Sequence, residues 1–345
     1  MPNTLWVLAT TSDTVDVVGQ TKEFSMTSTR RTLLTAVFGG GLAVGLGACG
    51  SSNNSNPLDS GSAAPGATGP ASSSGGSGSG SIIVGSANFP ESALLAQIYA
   101  DALTAKGVTA STKLNIGSRE IYLGALKDGS IDLIPEYTGN LARYYDKQAD
   151  ISTPDKALAA LKAAVPSDFT VLQPSAAQDS DSICVTAATA QKYSLKSIAD
   201  IDGHAKDMII GGPPEFKQRI DGLPGLQRVY GLTFKEFRPL DAAGALTVTA
   251  LKNGQVQAAN LFTTDPQVKA NNFVVLQDPK HLFGAQNVIP LIRKDKASST
   301  VSSALDAVSA KLDTATLLSL VSKVVLDKQD PTSVSKQFLS SAGLS

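Results

Sequence analysis

Short hydrophobic runs alternate with amphipathic segments from residue 82 onwards. Residues 82–84 form one such run, and residues 88–91 (NFPE) then offer a cap, a proline and an acidic residue for the start of a helix. The apolar face of that helix is Leu94, Leu95, Ile98 and Leu103. Further strands are predicted at 131–134, 183–185, 208–210, 256–261 and 274–276, and helices at 156–164 and 302–312. The alternation predicts an α/β fold with mainly parallel sheet.

One stretch of sequence occurs twice. Residues 125–132 (ALKDGSID) and 250–257 (ALKNGQVQ) are each typical of a helix end, a left-handed glycine and a strand start. An aromatic residue, Tyr137 or Phe262, follows eight positions after each glycine. Two similar lobes would thus each present an aromatic residue at the carboxyl end of a strand, where ligands bind in open α/β sheets. Since helix–glycine–strand units are common, core packing of both rings is the alternative.

The first 48 residues have the pattern of an export signal. Arg30 and Arg31 precede an apolar run at 33–47 that ends in small residues, as in a secretory signal peptide, which is too short to span a bilayer. Acidic residues upstream of Met26 fit this pattern poorly, so we expect translation to start at Met26. The paired arginines leave twin-arginine export open beside the general secretory route.

Cys49 ends the motif LGAC at 46–49, which resembles the bacterial lipoprotein box. We expect Cys49 to carry a lipid that anchors the exported chain to the outer face of the cell membrane. The alternative is an ordinary signal peptide that ends at a free thiol. Residues 50–80 are almost wholly Ser, Gly, Asn, Ala and Pro, which predicts a flexible tether over 49–81 with an r.m.s. span of roughly 30 Å. Residues 82–345 then carry the function.

Composition excludes several classes of function. The 345 residues carry 29 Lys and Arg against 30 Asp and Glu, so the chain has no basic field for a nucleic acid. Two cysteines and two histidines supply neither a disulfide framework nor a zinc site, and we expect no metal and no cofactor. The sequence also lacks the motifs of serine hydrolases, P-loop nucleotidases and zinc peptidases, so we expect no enzymatic activity.

Five ordered blocks carry a resemblance to a known family. They are GSANFPE at 85–91, EYTG at 136–139, RIDGLPGL at 219–226 with YGL at 230–232, TD at 264–265, and LQDPK at 276–280 with Pro290. Together with the lipoprotein box and the tether, these blocks resemble the substrate-binding proteins of bacterial ABC importers for osmoprotectants, the glycine betaine, choline, carnitine and proline class. The likeness spans nearly all of residues 82–345.

This resemblance implies a type II periplasmic-binding-protein fold, with a ligand cleft between two α/β lobes joined by two crossover strands. Lobe 1 would comprise residues 82–183 and 287–345, and lobe 2 residues 184–286. The lobes of the monomer would close around a small molecule, a membrane permease would recognise the closed form, and a separate ATPase subunit would hydrolyse ATP.

The resemblance also implies site residues. Tyrosines in this family surround a quaternary ammonium, whose diffuse charge is attracted to aromatic faces, and an arginine pairs with the ligand's carboxylate. Tyr137 matches a cage tyrosine, Arg219 matches the arginine, and Asp181 matches an acidic residue near a second tyrosine position. The alternative for Arg219 is a surface pair with Asp221 or Glu215.

Several positions depart from the family pattern. Ile183, Phe262 and Gln286 stand at cage-tyrosine positions, Ala87 stands for a lysine, and Asn140 stands for a threonine. Loss of the tyrosines at 183 and 286 would remove about 1–4 kcal/mol of binding free energy. The predicted site is Tyr137, Phe262, Arg219, Asp181, Ile183, Gln286, Asn140, Ala87 and Tyr122.

Two ligand classes and two other functions stay open. The site fits either a neutral, flat or polyhydroxylated ligand, or an osmoprotectant held in a cage completed by Tyr122, Tyr144 or Tyr145. A sensor or adaptor lipoprotein on the same scaffold would show no ligand-induced closure. The bilobal fold also serves hydroxymethylbilane synthases, which carry a cofactor on a cysteine, but the apolar strand around Cys184 favours an inert buried thiol.

Overall fold

Two five-stranded sheets organise residues 80–345, the part of the chain that the structure, a computed structural model, describes. The predicted signal peptide, Cys49 and nearly all of the predicted tether lie outside these residues. Each sheet carries helices on both faces and forms the centre of one lobe. The architecture is the two-lobed α/β fold that the sequence predicts.

The sheet of lobe 1 has the strand order β2-β1-β3-β10-β4. Its strands are β1 (Ile82–Ala87), β2 (Ala110–Gly117), β3 (Leu133–Tyr137), β4 (Phe169–Val171) and β10 (Val288–Arg293). Strand β1 runs parallel to β2 and β3, whereas β10 runs antiparallel to β3 and β4.

The sheet of lobe 2 has the strand order β7-β6-β8-β5-β9. Its strands are β5 (Asp181–Thr186), β6 (Ile209–Gly212), β7 (Glu236–Pro239), β8 (Ala258–Phe262) and β9 (Phe273–Val275). Strand β6 is parallel to β7 and β8, and β5 is antiparallel to β8 and β9. Both sheets are therefore mixed, which corrects the prediction of mainly parallel sheet. The antiparallel pairings involve β5 and β10. Each of these strands comes directly after the chain crosses from one lobe to the other.

Helices cover the sheets. Lobe 1 carries α1 (Pro90–Ala105), α2 (Arg119–Lys127), α3 (Thr138–Tyr145), α4 (Pro154–Ala164), α9 (Ser299–Ser309), α10 (Thr314–Val325) and α11 (Pro331–Ala342). Lobe 2 carries α5 (Ala187–Tyr193), α6 (Leu223–Tyr230), α7 (Ala245–Lys252) and α8 (Pro266–Ala270). Short 3₁₀ helices lie at Ile198–Ile201, Ala205–Asp207, Pro214–Lys217 and Lys294–Lys296.

Alternation along the strands supplies both faces of each sheet with core residues. In lobe 1, Leu133 joins the cluster under α1, α9, α10 and α11, while its neighbour Ile134 joins the cluster under α2, α3 and α4. In lobe 2, Ile183 joins the core cluster on one face of the sheet, and its neighbour Cys184 joins the cluster on the other face. The predicted apolar face of α1 is fully buried. Phe89, extended before Pro90, is the N-cap of α1, and the predicted cap Asn88 is exposed.

The lobes are joined by two crossover segments that pair with each other. Gln178 and Asn287 form an antiparallel bridge, flanked by hydrogen bonds from Val288 N to Ala177 O (3.0 Å) and from Asp179 N to Gln286 O (3.1 Å). Asp181 already pairs with Phe262 in the sheet of lobe 2. The chain therefore first passes from lobe 1 to lobe 2 before the predicted boundary at Ile183. These two paired segments are the connections between the two lobes.

Candidate functional site

A cavity lies between the two lobes. It is lined from lobe 1 by the ends of β1 and β3 and by α2 and α3, and from lobe 2 by residues around β5, β6 and β8. Seven of the nine predicted ligand-binding residues line it, namely Ala87, Tyr122, Tyr137, Asn140, Asp181, Arg219 and Phe262. The structure thus brings together residues from six separate stretches of sequence.

The other two predicted residues lie behind the cavity wall. Ile183 is fully buried in the core of lobe 2. Gln286 is also fully buried, and its amide holds Asn140 at two points. Gln286 Oε1 accepts a hydrogen bond from Asn140 N (2.8 Å), and Gln286 Nε2 donates to Asn140 Oδ1 (2.7 Å). Gln286 therefore positions a wall residue from the crossover segment.

The repeated sequence places its two aromatic residues at equivalent points of the two lobes. Gly129 and Gly254 both adopt positive φ, +79° and +69°, after α2 and α7. Tyr137 is the last residue of β3 and Phe262 the last residue of β8, and both line the cavity. The two aromatic residues therefore lie at the carboxyl ends of their strands, as the sequence predicts.

Two further phenylalanines line the cavity beside the predicted aromatic residues. Phe89 lies between the lobes, with ring centroids 6.3 Å from Tyr137 and 4.9 Å from Phe262. Phe216, in the 3₁₀ helix that follows β6, is buried against lobe 2. Both residues follow the carboxyl end of a strand, and that position is the sequence signal that could have identified them. With Tyr122, five aromatic side chains of the described residues line the cavity.

The tyrosine hydroxyls of the cavity are bound to carboxylates of lobe 1. Tyr122 OH donates to Glu136 Oε1 (2.6 Å), and Tyr137 OH donates to Glu91 Oε1 (2.7 Å). Glu136 also accepts two hydrogen bonds of 2.9 Å from Arg119. A ligand therefore meets the rings of these tyrosines rather than free hydroxyl groups. Of the alternative cage tyrosines, Tyr144 is 42% exposed, and Tyr145 packs against the lobe 1 core.

Carboxylates outnumber cations in the cavity lining. Asp179, Asp181, Glu215 and Asp221 line it together with two arginines. Burial, and the charge of Glu91, raise the pKa of Asp179 well above its usual range, and burial with the charge of Asp181 raises the pKa of Asp221. Because burial penalises these anions, a cation placed among them would relieve that penalty.

Arg219 binds a protein carboxylate across the cleft. Its Nε and Nη2 donate to Glu120 Oε1 and Oε2, both at 3.0 Å, and Nη2 also lies 3.8 Å from Glu215. Burial acts to raise the pKa of Glu120, but the hydrogen bonds from Arg219 and Ser118 outweigh it and lower this pKa to about 2. The pair connects α2 of lobe 1 to the loop before α6 of lobe 2, so it stabilises contact between the lobes.

Further contacts cross between the lobes. Asn140 Nδ2 donates to Asp181 Oδ2 (3.0 Å), and the hydroxyl of Thr264 donates to Glu91. Burial raises the pKa of Glu91. These hydrogen bonds, the Phe89–Phe262 contact and the Arg219 pair require the lobes to be close together. The structure therefore has the geometry of a closed form.

The chain is similar in sequence to proteins of known description. A family described as the substrate binding domain of ABC-type glycine betaine transport systems matches residues 80–341. The glycine betaine-binding protein YehZ of Escherichia coli K12 is 27% identical over 276 residues, covering 76% of this chain and 90% of YehZ. A glycine-betaine-binding protein of Pseudomonas aeruginosa PAO1 is also 27% identical over 272 residues, and the alignment covers 74% of this chain and 86% of that protein.

Solved structures share the fold. One described as a glycine betaine/carnitine/choline ABC transporter has a TM-score of 0.61 at 22% identity, and the alignment covers 76% of this chain and 99% of that one. At this identity the likeness concerns the fold, and it supports the two-lobed architecture with a cleft between the lobes.

Proposed function

The chain belongs to the substrate-binding domains of ABC-type glycine betaine transport systems, and we propose that it captures a small quaternary ammonium compound in the cavity between its lobes. Family membership confirms the resemblance carried by the sequence blocks. It makes the chain the binding component of an ABC importer, which delivers its ligand to a membrane permease.

The lining of the cavity is the observation that carries the proposal. A quaternary ammonium cannot donate hydrogen bonds, and its diffuse charge is attracted to aromatic faces. Five aromatic side chains line the cavity from both lobes, with Phe89 placed between Tyr137 and Phe262. The carboxylates of Asp181 and Glu215 add a negative potential there. Rings and carboxylates together favour a cation over the neutral, polyhydroxylated ligand that the sequence left open.

Closure of the lobes is the proposed step of transport. A ligand that contacts Tyr137 of lobe 1 and Phe262 of lobe 2 at once binds the closed form better than the open form. The contacts between Asn140 and Asp181 and between Arg219 and Glu120 then add to the stability of that form. A permease that recognises the closed arrangement would therefore receive loaded protein. A sensor or adaptor that does not bind ligand would show no such closure.

The proposal is tested by comparing choline with 3,3-dimethylbutan-1-ol, its uncharged carbon analogue of nearly the same shape. Isothermal titration calorimetry on the purified protein should show choline binding, and the analogue should bind at least about ten-fold more weakly. Small-angle scattering should report a smaller radius of gyration with choline. Equal affinity for the two compounds would contradict recognition of the cation, and titrations with neutral sugars and planar polyphenols would then identify the other ligand class.

We also propose that the chain is exported and anchored by a lipid on Cys49. The motif at 46–49 and the composition of residues 50–80 support this. Within residues 80–345, no helix is long and apolar enough to cross a membrane. Replacement of Cys49 by Ala should move the protein from the membrane fraction to the soluble fraction after export, and retention on membranes would contradict the anchor.

We propose that the protein is a monomer and that its cavity binds the ligand without catalysing a reaction. Cys184, the residue on which a cofactor-carrying alternative depends, is fully buried in β5, and burial raises the pKa of its thiol to about 11. Such a thiol is a poor nucleophile at neutral pH. Mass spectrometry of the purified protein should find no adduct on Cys184, and a covalent tetrapyrrole or other cofactor there would contradict the proposal.

A further inference from the structure

We propose that Glu120 is a specificity-determining residue that makes the cavity prefer a trimethylammonium cation without a carboxylate to a zwitterion with one. The inference rests on the proposed function and narrows its substrate class. The residue that the family resemblance assigns to a ligand carboxylate, Arg219, is already bound to the carboxylate of Glu120. A side chain of lobe 1 thus occupies the place in the ion pair that the ligand would otherwise take.

The geometry of this pair is that of carboxylate recognition. Nε and Nη2 of Arg219 each donate one hydrogen bond to a different oxygen of Glu120, both at 3.0 Å, which is the bidentate arrangement that arginine forms with ligand carboxylates. Ser118 Oγ donates to Glu120 Oε2 (2.6 Å) and helps to hold the carboxylate in position. Glu215, at 3.8 Å, adds a second negative charge beside Arg219.

The other strong donors of the cavity lining are also engaged by protein acceptors. Arg119 gives the same two-bond arrangement to Glu136 at 2.9 Å. The amides of Asn140 and Asn260 both donate to Asp181, each at 3.0 Å. A ligand carboxylate would have to compete with a protein carboxylate for each of these donors, whereas a trimethylammonium group needs none of them.

Electrostatics point the same way. The lining holds the carboxylates of Asp181 and Glu215, while the raised pKa of Asp179 and that of Asp221 disfavour the charged forms of these two groups. Each of the two arginines of the lining is paired with a further glutamate, Glu136 or Glu120. The field in the cavity therefore favours a cation and opposes an added carboxylate. Choline and glycine betaine share the trimethylammonium head and differ at the other end, where one has a hydroxymethyl group and the other a carboxylate, so the pair isolates this effect.

Replacement of Glu120 by Gln separates the two consequences of the pair. It removes a contact between the lobes, which weakens the closed form and lowers the affinity of every ligand by the same factor. It also releases the charge of Arg219, which helps only a ligand with a carboxylate. The ratio of the choline and glycine betaine dissociation constants cancels the first effect and reports the second.

The experiment measures both dissociation constants by calorimetry for the wild-type protein, Glu120→Gln and the double variant Glu120→Gln with Arg219→Gln. We expect the wild type to bind choline at least about ten-fold more tightly than glycine betaine, and Glu120→Gln to shift the ratio about ten-fold towards glycine betaine. The double variant should lose that shift, because the released arginine is gone. Glu236→Gln is the matched control: it removes a glutamate from the exposed pair with Arg238, away from the cavity, and should leave the ratio unchanged.

Two results would overturn the inference while the proposed function stands: tighter binding of glycine betaine than of choline by the wild type, or an unchanged ratio in Glu120→Gln. If the wild type binds neither compound, the proposed function itself is wrong, and the inference is wrong with it.

Discussion

Arg119 and Glu136 form an ion pair of two parallel hydrogen bonds, 2.9 Å each, with the arginine 7% exposed and the glutamate fully buried. Glu136 also accepts from the hydroxyl of Tyr122 and from the backbone N of Tyr137. One carboxylate thereby holds an arginine and two aromatic residues of the cavity wall. Its removal should affect the stability of lobe 1 as well as the shape of the site.

Replacement of Glu136 by Gln should lower the free energy of unfolding by about 3 kcal/mol, because it leaves the Arg119 charge buried without its partner. Urea denaturation followed by circular dichroism measures this change. The same substitution at Glu236, whose pair with Arg238 is exposed, should cost less than about 1 kcal/mol. Equal effects at the two sites would show that the buried pair contributes no more than a surface pair.

Replacement of Phe262 by Ala should weaken choline binding by about two- to thirty-fold, because one ring leaves the cation's surroundings. Phe262→Tyr should retain most of the affinity, since it keeps an aromatic face. Phe169→Ala is the matched control, because Phe169 is also half-buried but packs against the lobe 1 core. Calorimetry that finds the wild-type affinity in Phe262→Ala would remove Phe262 from the binding site.

The stability of the protein should fall as the pH rises from about 4 to about 6. Burial raises the pKa of Asp265 to about 6, above the value near 3.9 of an unfolded aspartate. The folded state therefore keeps a proton that the unfolded chain has lost. The stabilisation is complete below pH 4 and lost through this window, by about 3 kcal/mol for this group.

The variant Asp265→Asn isolates this contribution. Asp265 Oδ1 accepts from Gln267 N (2.9 Å), which the amide oxygen of Asn can also do, and Oδ2 has no hydrogen-bond partner within residues 80–345. Urea unfolding between pH 4 and 7 should show a flatter profile for Asp265→Asn. Asp313→Asn, at an exposed N-cap whose hydrogen bonds lower the aspartate pKa, should leave the slope between pH 4 and 6 as it is. An unchanged profile in Asp265→Asn would contradict the assignment.

Replacement of Gly254 by Ala should destabilise the protein by about 1 kcal/mol, because φ of +69° places a Cβ in an unfavourable conformation although the space around it is open. Gly124→Ala should instead stabilise by about 0.5–1 kcal/mol, since Gly124 lies inside α2 and its Cβ would also meet open space. Thermal unfolding of the two variants measures this difference. A shift of the same sign in both would mean that backbone conformation is not the determining factor.

Short sequence patterns predicted those features of the fold that are determined by residues close together along the chain. The repeated helix–glycine–strand stretch identified Gly129 and Gly254 as left-handed, and from there the aromatic ends of two strands. Such features depend on backbone conformation and alternation over fewer than a dozen residues, so the sequence contains them directly. The predicted family follows from the same kind of evidence, ordered motifs with fixed spacing.

The remaining features depend on tertiary pairing. Arg219 lies 99 residues from Glu120, and Gln286 lies 146 residues from Asn140; no local pattern reveals either partner. Asp181 reaches the cavity because it begins β5, whereas Ile183, two residues further along the same strand, is already in the core. Position along the strand decides this difference, since Asp181 pairs with Phe262 at the end of β8 and Ile183 pairs further inside the sheet.

The bridge between Gln178 and Asn287 gives the chain a modular character. With respect to lobe 1, residues 179–286 form an insertion. The two ends of this insertion lie side by side on paired strand segments, as the two ends of a β-hairpin loop do. An exchange of this segment with that of a relative needs only two junctions, both on the paired crossover segments. The half of the site that includes Asp181, Arg219 and Phe262 can thus be inherited as one block, while Tyr137 and Glu120 stay with lobe 1.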